Sequence, residues 1–179
     1  MNAVIRPINY DDVADVASIH AASWRSAYRG ILRDEFLDGD LVANRTEVWE
    51  RRLSSLSTKH FGYLAVDAGQ SIGFVFAFGE QDDKWGTLID NLHVLPSHKG
   101  RGLGKRLLAS LCVHASTALP DVALYLWVFE QNTVARKFYE SMGGELVERT
   151  VTVAPGGGEV AEWRCVWPSA GRMLEVLNR

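Results

Sequence analysis

Three features of this 179-residue chain predict an α/β fold. An apolar strand ending at Leu95 runs through a glycine-rich turn into a segment whose leucines recur at 103, 107, 108 and 111, a helical stripe. A second apolar run, Val122 to Phe129, leads into another helical segment that stops at Gly143-Gly144. Two further pairs of strand-like segments flank tight turns, at Ala68-Gly69-Gln70 and at Ala154-Pro155-Gly156-Gly157-Gly158.

Taken in order, Val4 to Pro7 reads as a short strand, and a helix follows from about Asp11 to Tyr28, with Asp11 or Asp12 as its N-cap and Gly30 as its breaker. Phe36 to Asp40 reads as a turn. Leu41 to Leu53 reads as a helix that offers Val48, Trp49 and Leu53 to the core. Phe61 to Asp67 and Ser71 to Gly79 form a hairpin, and the glycine-turn strand and helix come next. After the second strand and helix, Glu145 to Val153 and Glu159 to Trp167 make a second hairpin, and Arg172 to Leu177 a last short helix. No repeat, low-complexity tract or linker interrupts this order, so one domain over 1–179 is expected.

Composition narrows the partners. A net charge of −3 supplies no general basic field, so nucleic acid is not expected. Met1 to Pro7 lacks a hydrophobic signal core and no apolar run approaches the ~20 residues of a membrane span, so a soluble, cytoplasmic protein without a membrane partner is expected. Cys112 and Cys165, like the five histidines, show no ligand spacing; no metal and no disulfide framework are expected.

The glycine turn carries the chemistry. Gly100, Gly102 and Gly104 remove side-chain bulk so that successive backbone N–H groups can converge on an anion at a helix N-terminus. Lys99, Arg101, Lys105 and Arg106 surround the same turn with positive charge. A P-loop would need Gly-Lys-Ser/Thr, and here Arg106 follows Gly104-Lys105. A dinucleotide fingerprint would need Gly-x-Gly-x-x-Gly, and here the spacing is Gly-x-Gly-x-Gly. Further on, Asn132 and Tyr139 stand seven apart, two helical turns, and project from one face of their helix. Both can address one ligand; equally, Asn132 can cap the helix and Tyr139 can pack as a half-buried core residue.

The run Lys99-Gly100-Arg101-Gly102-Leu103-Gly104, preceded by Leu92-His93-Val94-Leu95-Pro96, resembles the coenzyme A loop of the GNAT superfamily of N-acetyltransferases, with Lys99 where Gln or Arg is usual. Asn132, Ala135 and Tyr139, ahead of Gly143-Gly144, resemble the family's Asn-x-x-Ala-x-x-x-Tyr helix and its glycine stop. The resemblance covers most of the chain. It implies a mixed, mostly antiparallel central sheet flanked by helices, and acetyl-CoA as co-substrate. An amine would attack the thioester directly in a ternary complex. It further implies that residues 99 to 105 hold the pyrophosphate, that backbone N–H groups at Val94 and Leu95 meet the thioester and pantetheine, and that Asn132 also contacts the cofactor.

A phenol can protonate the departing thiolate, which makes Tyr139 the expected general acid. Many family members carry a glutamate base at the place held here by Leu88, which accepts no proton. Asp90, two residues along the same strand, is the expected substitute; its other reading is a carboxylate hydrogen-bonded to a neighbouring loop. The early helices roof the acceptor site in this family, and Trp24 and Tyr28, four apart, are the candidate lining pair, with a core pair as the alternative. Arg25 and Arg29 form the stripe beside them. The expected acceptor is a small-molecule amine. Rival readings are a protein lysine or N-terminal acetyltransferase and a catalytically silent acyl-CoA sensor, which Leu88 favours. Pairing of the late hairpin across an edge would give a homodimer.

Overall fold

The computed structural model describes residues 2–178. Two residues after strand β1 (Val4–Pro7), Asn9 opens the first helical turn. The Asn9 side chain accepts the N–H of Asp11, and the Asp12 carboxylate returns to the N–H of Asn9, both at 2.9 Å. Asp12 also takes both terminal nitrogens of Arg6, at 2.6 and 2.8 Å. The capping side chain is therefore Asn9 and not the expected aspartates, because a 3-10 turn, Tyr10–Asp12, precedes helix α1 (Val13–Ala27).

Residues Asp34–Asp38 form a short helix, α2, where the sequence suggests only a turn. Arg29 forks to Asp34 and Asp38, one helical turn apart, while Leu37 is fully buried beneath. Asp40 then caps α3 (Leu41–Ser54). Strands β2 (His60–Asp67) and β3 (Gln70–Asp82) meet at Ala68 and Gly69, with φ of 49° and 81°; two positive φ values make the tight turn whose twist suits a hairpin. Next come β4 (Gly86–Val94), α4 (Leu103–Ala118), β5 (Leu124–Phe129) and α5 (Thr133–Ser141). The second hairpin is β6 (Glu145–Val153) and β7 (Glu159–Trp167), and α6 (Ala170–Leu177) ends the chain.

The seven strands lie in the order β1-β2-β3-β4-β5-β7-β6, and every neighbouring pair is antiparallel except β4 and β5. Parallel strands need a crossover, and α4 is that crossover. On one face, Leu107, Leu108 and Leu111 of α4 and Met173 of α6 pack on Val75, Ile89, Leu126 and Trp167. On the other, Val16 and Ile19 of α1 and Trp49 and Leu53 of α3 cover Leu64, Phe74 and Phe76. A third cluster joins Trp24, Leu37 and Leu41 to Ala154 of the late hairpin. Cys112 and Cys165 are buried and unpaired. No helix among the described residues is long and apolar enough to cross a membrane.

Two irregularities of β4 shape everything that follows. Its pairing with β5 is confined to Thr87 and Leu88 against Leu124 and Tyr125, so the two strands part beyond that point. Its pairing with β3 jumps from Phe76↔Asn91 to Ala77↔Ile89, which leaves Asp90 as the extra residue of a bulge. Without the bulge, residues 88, 90, 92 and 94 would share a face. With it, Asp90 and Asn91 both reach Arg52 of α3 and His93 reaches Ser23 of α1, while Leu92 and Val94 turn to the α4 side.

Candidate active site

Where β4 and β5 part, a cleft of ≈ 450 Å³ opens, lined by β4, the glycine turn, β5, α5 and the end of α1. The N–H of Leu95 donates to the carbonyl of Ile72 at 2.9 Å. In an antiparallel ladder successive residues point their N–H groups to opposite sides, so that of Val94 faces the opening. Val94 lines the cleft and Leu95 does not; of the two expected backbone donors, one is free to meet a ligand there.

The glycine turn follows. Gly100 and Gly102 have φ of 75° and 78°, and a Cβ at either would touch nothing within 4 Å. They are needed for the left-handed backbone, not for space. The first bond of α4 runs from the Arg106 N–H to the Gly102 carbonyl, which leaves the N–H groups of Leu103, Gly104 and Lys105 without acceptors inside the helix. At Gly104 a Cβ would meet the Phe138 ring of α5 at 3.4 Å, an ordinary contact, so neither backbone nor space demands glycine there. Lys99, Gly100, Gly102, Leu103, Gly104 and Lys105 all line the cleft, whereas Arg101 is exposed and outside it. Burial lowers the pKa of Lys99 from its ordinary value.

On the opposite wall, the Asn132 side chain accepts the Ala135 N–H at 3.2 Å and so caps α5, while Asn132 also lines the cleft. Tyr139 lines it two turns later, and burial pushes its phenol above the ordinary value, so it is protonated at neutral pH. Gly143, with φ of 80°, lets the chain leave α5. Tyr28 reaches the same cleft from α1; burial first, then the Asp90 charge, pushes its pKa up to about 12.

The other sequence candidates lie elsewhere. Trp24 is 9% exposed, packed in the third cluster, and does not line the cleft. It is a core residue because its indole points toward Leu32, Leu37 and Leu41, one turn before Tyr28 swings to the cleft. Asp90 shares a face with the position of Leu88, but its carboxylate is 2.7 Å from Arg52 and it is not a lining residue. Arg25 is bonded to the carbonyls of Leu37 and Gly39, and Arg29 to Asp34 and Asp38, so both brace α2.

Three residues to which the sequence assigns no role at the site stand out. His93 lines the cleft and is buried, with Nδ1 3.0 Å from Ser23 Oγ and its ring stacked 4.5 Å from that of His20. Burial, then the charges of Lys99 and Arg45, push its pKa down to about 3, so the imidazole is neutral. Trp127 of β5 also lines the cleft, with the Arg164 guanidinium 4.3 Å from its ring centre. Glu162 of β7 pairs in register with Phe129, whose ring meets Tyr28 at 5.1 Å. Burial raises its pKa, only partly opposed by Arg164, and no ion pair engages it among the described residues. Period-two alternation in Glu159 to Trp167 puts Glu162 with Val160 and Arg164; only the strand order brings that face beside Trp127 and Phe129, and Glu162, like Asp90, does not itself line the cleft.

The chain matches the acetyltransferase (GNAT) family over residues 13–144. It is 30% identical over 160 residues to a probable N-acetyltransferase of Mycobacterium tuberculosis, covering 88% of each chain. It is also 30% identical over 80 residues to a spermine/spermidine N(1)-acetyltransferase of Bacillus subtilis, a match that covers 42% of this chain and 53% of the relative. Among solved structures, PaiA N-acetyltransferase of Thermoplasma acidophilum in complex with coenzyme A superposes with a TM-score of 0.69 at 20% identity, over 90% of this chain and 98% of that one.

Proposed function

We propose that this chain, which belongs to the acetyltransferase (GNAT) family, moves the acetyl group of acetyl-CoA to a primary amine of a small molecule, by direct attack in a ternary complex. The single observation that carries the reading is the cleft itself. The glycine turn, the Val94 N–H and the Tyr139 phenol all border the one opening where β4 and β5 separate. The N-terminus of α4 receives the pyrophosphate on unpaired N–H groups, with Lys99 and Lys105 beside it. The pantetheine continues along β4, where the Val94 N–H supports the oxygen that gains charge as the amine adds. Collapse expels coenzyme A as a thiolate, and Tyr139 gives it a proton.

The incoming ammonium must first lose a proton. Asp90 keeps the expected place, but its carboxylate is held by Arg52 at 2.7 Å. Glu162 has no such partner and its burial makes it more basic, so it is the better base, acting directly or through one water. A small acceptor is supported by packing at the outer end, where Ala154 and Val160 of the late hairpin meet Phe36 and Leu37 of α2. The sheet edge at β6, with Val147, Val151 and Val153 exposed, supports pairing of two copies, which sedimentation measures.

The test is calorimetric titration with acetyl-CoA followed by thiol release with a panel of amines. Binding with amine-dependent release is expected. Binding without release from any amine, amino acid or peptide would favour the silent sensor instead, and absence of binding would overturn the reading.

A further inference from the structure

Ser23, Ala27 and Tyr28 at the end of α1 and His93 of β4 line the cleft on the α1 side. Leu126 and Val128 pack on the α4 side of the sheet, so Trp127 between them points to the α1 side as well. None of these five is charged at neutral pH. The lining lysines, Lys99 and Lys105, belong to the glycine turn, and no aspartate or glutamate lines the cleft among the described residues. Each of the three rings is fixed from behind by residues outside the cleft. The Arg164 guanidinium lies 4.3 Å from the centre of the Trp127 ring, packs over Trp85 and Tyr125 at 5.0 and 5.1 Å, and is anchored by Glu148 at 2.8 Å. Tyr28 meets Trp24 at 5.6 Å and Phe129 at 5.1 Å. His93 is stacked 4.5 Å from His20, whose Nδ1 accepts the indole N–H of Trp49 at 3.0 Å.

His93 supplies a polar contact on this side. Its Nδ1 is 3.0 Å from Ser23 Oγ, and neither atom has another partner among the described residues. The buried Ser23 hydroxyl is satisfied by donating to Nδ1, which assigns the imidazole proton to Nε2. Nε2 of His93 has no protein partner and is not enclosed, unlike Nε2 of His20, so it opens on the cleft that His93 lines. A neutral N–H among fixed aromatic rings suits a neutral oxygen on a flat, apolar body. It does not suit a second ammonium, which would lose its water and meet no lining carboxylate. Asp90 is held by Arg52, and Glu162, the proposed base, serves the reacting amine itself.

We infer that the acceptor is a monoamine with an uncharged aromatic body, seated against Tyr28 and Trp127, whose hydroxyl or other neutral oxygen accepts the His93 Nε2–H. The inference deepens the acetyltransferase reading above and rests on it. Rings already held in place receive such a body without the cost of ordering loose side chains.

The experiment compares thiol release from three sets of acceptors: phenethylamine and tryptamine, their hydroxylated relatives tyramine and phenylethanolamine, and the charged-bodied phenylalanine, agmatine and spermidine. The expected result is a kcat/KM roughly tenfold or more higher for the best uncharged aromatic amine than for any of the charged set, and a preference of roughly tenfold for a hydroxylated amine over phenethylamine. Trp127→Leu keeps an apolar wall without the flat ring. It should lower kcat/KM for the aromatic amine by roughly 30-fold, mainly through KM, while acetyl-CoA affinity changes little. His93→Phe keeps a ring against His20 and removes the N–H. The hydroxyl preference should disappear in it and weaken in Ser23→Ala, and the pH profile should keep its shape because the imidazole does not titrate near neutrality. Acetyl-CoA titration checks that each variant is folded. Charged-bodied amines used as well as the aromatic ones, a Trp127→Leu loss shared equally by every amine, a hydroxyl preference that is absent or survives in His93→Phe, or an acidic limb that moves in that variant would each overturn the inference. No binding of acetyl-CoA, or binding with no release from any amine, would instead overturn the reading beneath it.

Discussion

The two halves of the cleft are built in different ways. The coenzyme side is largely backbone: left-handed Gly100 and Gly102, the unpaired N–H groups at the start of α4 and the outward N–H of Val94, with Lys99, Lys105, Asn132 and Tyr139 as lining side chains. All of these come from two contiguous stretches of chain. The acceptor side consists of side chains from separate elements: Tyr28 at the end of α1, His93 of β4 and Trp127 of β5 line it, and Glu162 of β7 stands in register beside Phe129. Backbone recognition suits a constant ligand, and side chains suit one that differs between enzymes of the same fold. Changes on the coenzyme side should therefore act on acetyl-CoA, and changes on the acceptor side on the amine.

Tyr139 tests this division most sharply, because it lines the coenzyme wall yet, as the proposed acid, would act only when the thiolate leaves. Tyr139→Phe should lower kcat by roughly 100-fold or more while the calorimetric Kd for acetyl-CoA changes little. A wild-type kcat would remove it as the acid. Next in size is Glu162→Gln, expected to cost roughly 100-fold in kcat/KM for the amine at neutral pH. The sign of its pH dependence follows from burial. A base must be ionised, and burial raises this carboxylate above its ordinary pKa, so activity in the parent should fall as pH drops through that raised value. In Glu162→Gln this acidic limb should be lost. A limb that survives unchanged would hand the role to another group.

A smaller loss is expected from Gly102→Val, which forces a branched side chain to φ of 78° where nothing crowds it. The strain alone, about 1–3 kcal/mol, corresponds to roughly 5- to 150-fold if the turn relaxes out of shape when free of ligand. It should appear in acetyl-CoA affinity and not in the choice of amine. Equal loss on both sides would mean that the two halves are coupled through α4.

The same division decides what was legible in the sequence. The glycine turn, the Asn132 and Tyr139 spacing, both hairpins and the helical stripe of α4 are local, and local patterns carry their own geometry. His93 was hidden by one residue. Asp90 is extruded from the ladder with β3, and strict alternation read through it assigns Leu92 and Val94 to the face that His93 occupies. Trp24 and Tyr28 were indistinguishable by spacing, and only the packing of α2 and the late hairpin separates the buried ring from the lining one. Glu162 needed the strand order, since β7 enters the sheet between β5 and β6 and so brings its even-numbered side chains beside Trp127 and Phe129.

The smallest effect belongs to Asp90, the residue on which an alternation argument and the bulge disagree most. Asp90 and Arg52 are each about one-quarter exposed, and the pair joins α3 to β4 beneath the acceptor side. Asp90→Asn keeps the shape and removes the charge, so Arg52 retains Asn91 and a weaker amide partner. Such a partly exposed pair contributes on the order of 1 kcal/mol, to be read as a modest fall in denaturation midpoint. With Glu162 as the proposed base, turnover should stay within about threefold and the acidic limb of the pH profile should not move. A large loss of kcat with an altered limb would restore Asp90 as the base. Arg52 would then be the group that must release it when the amine arrives.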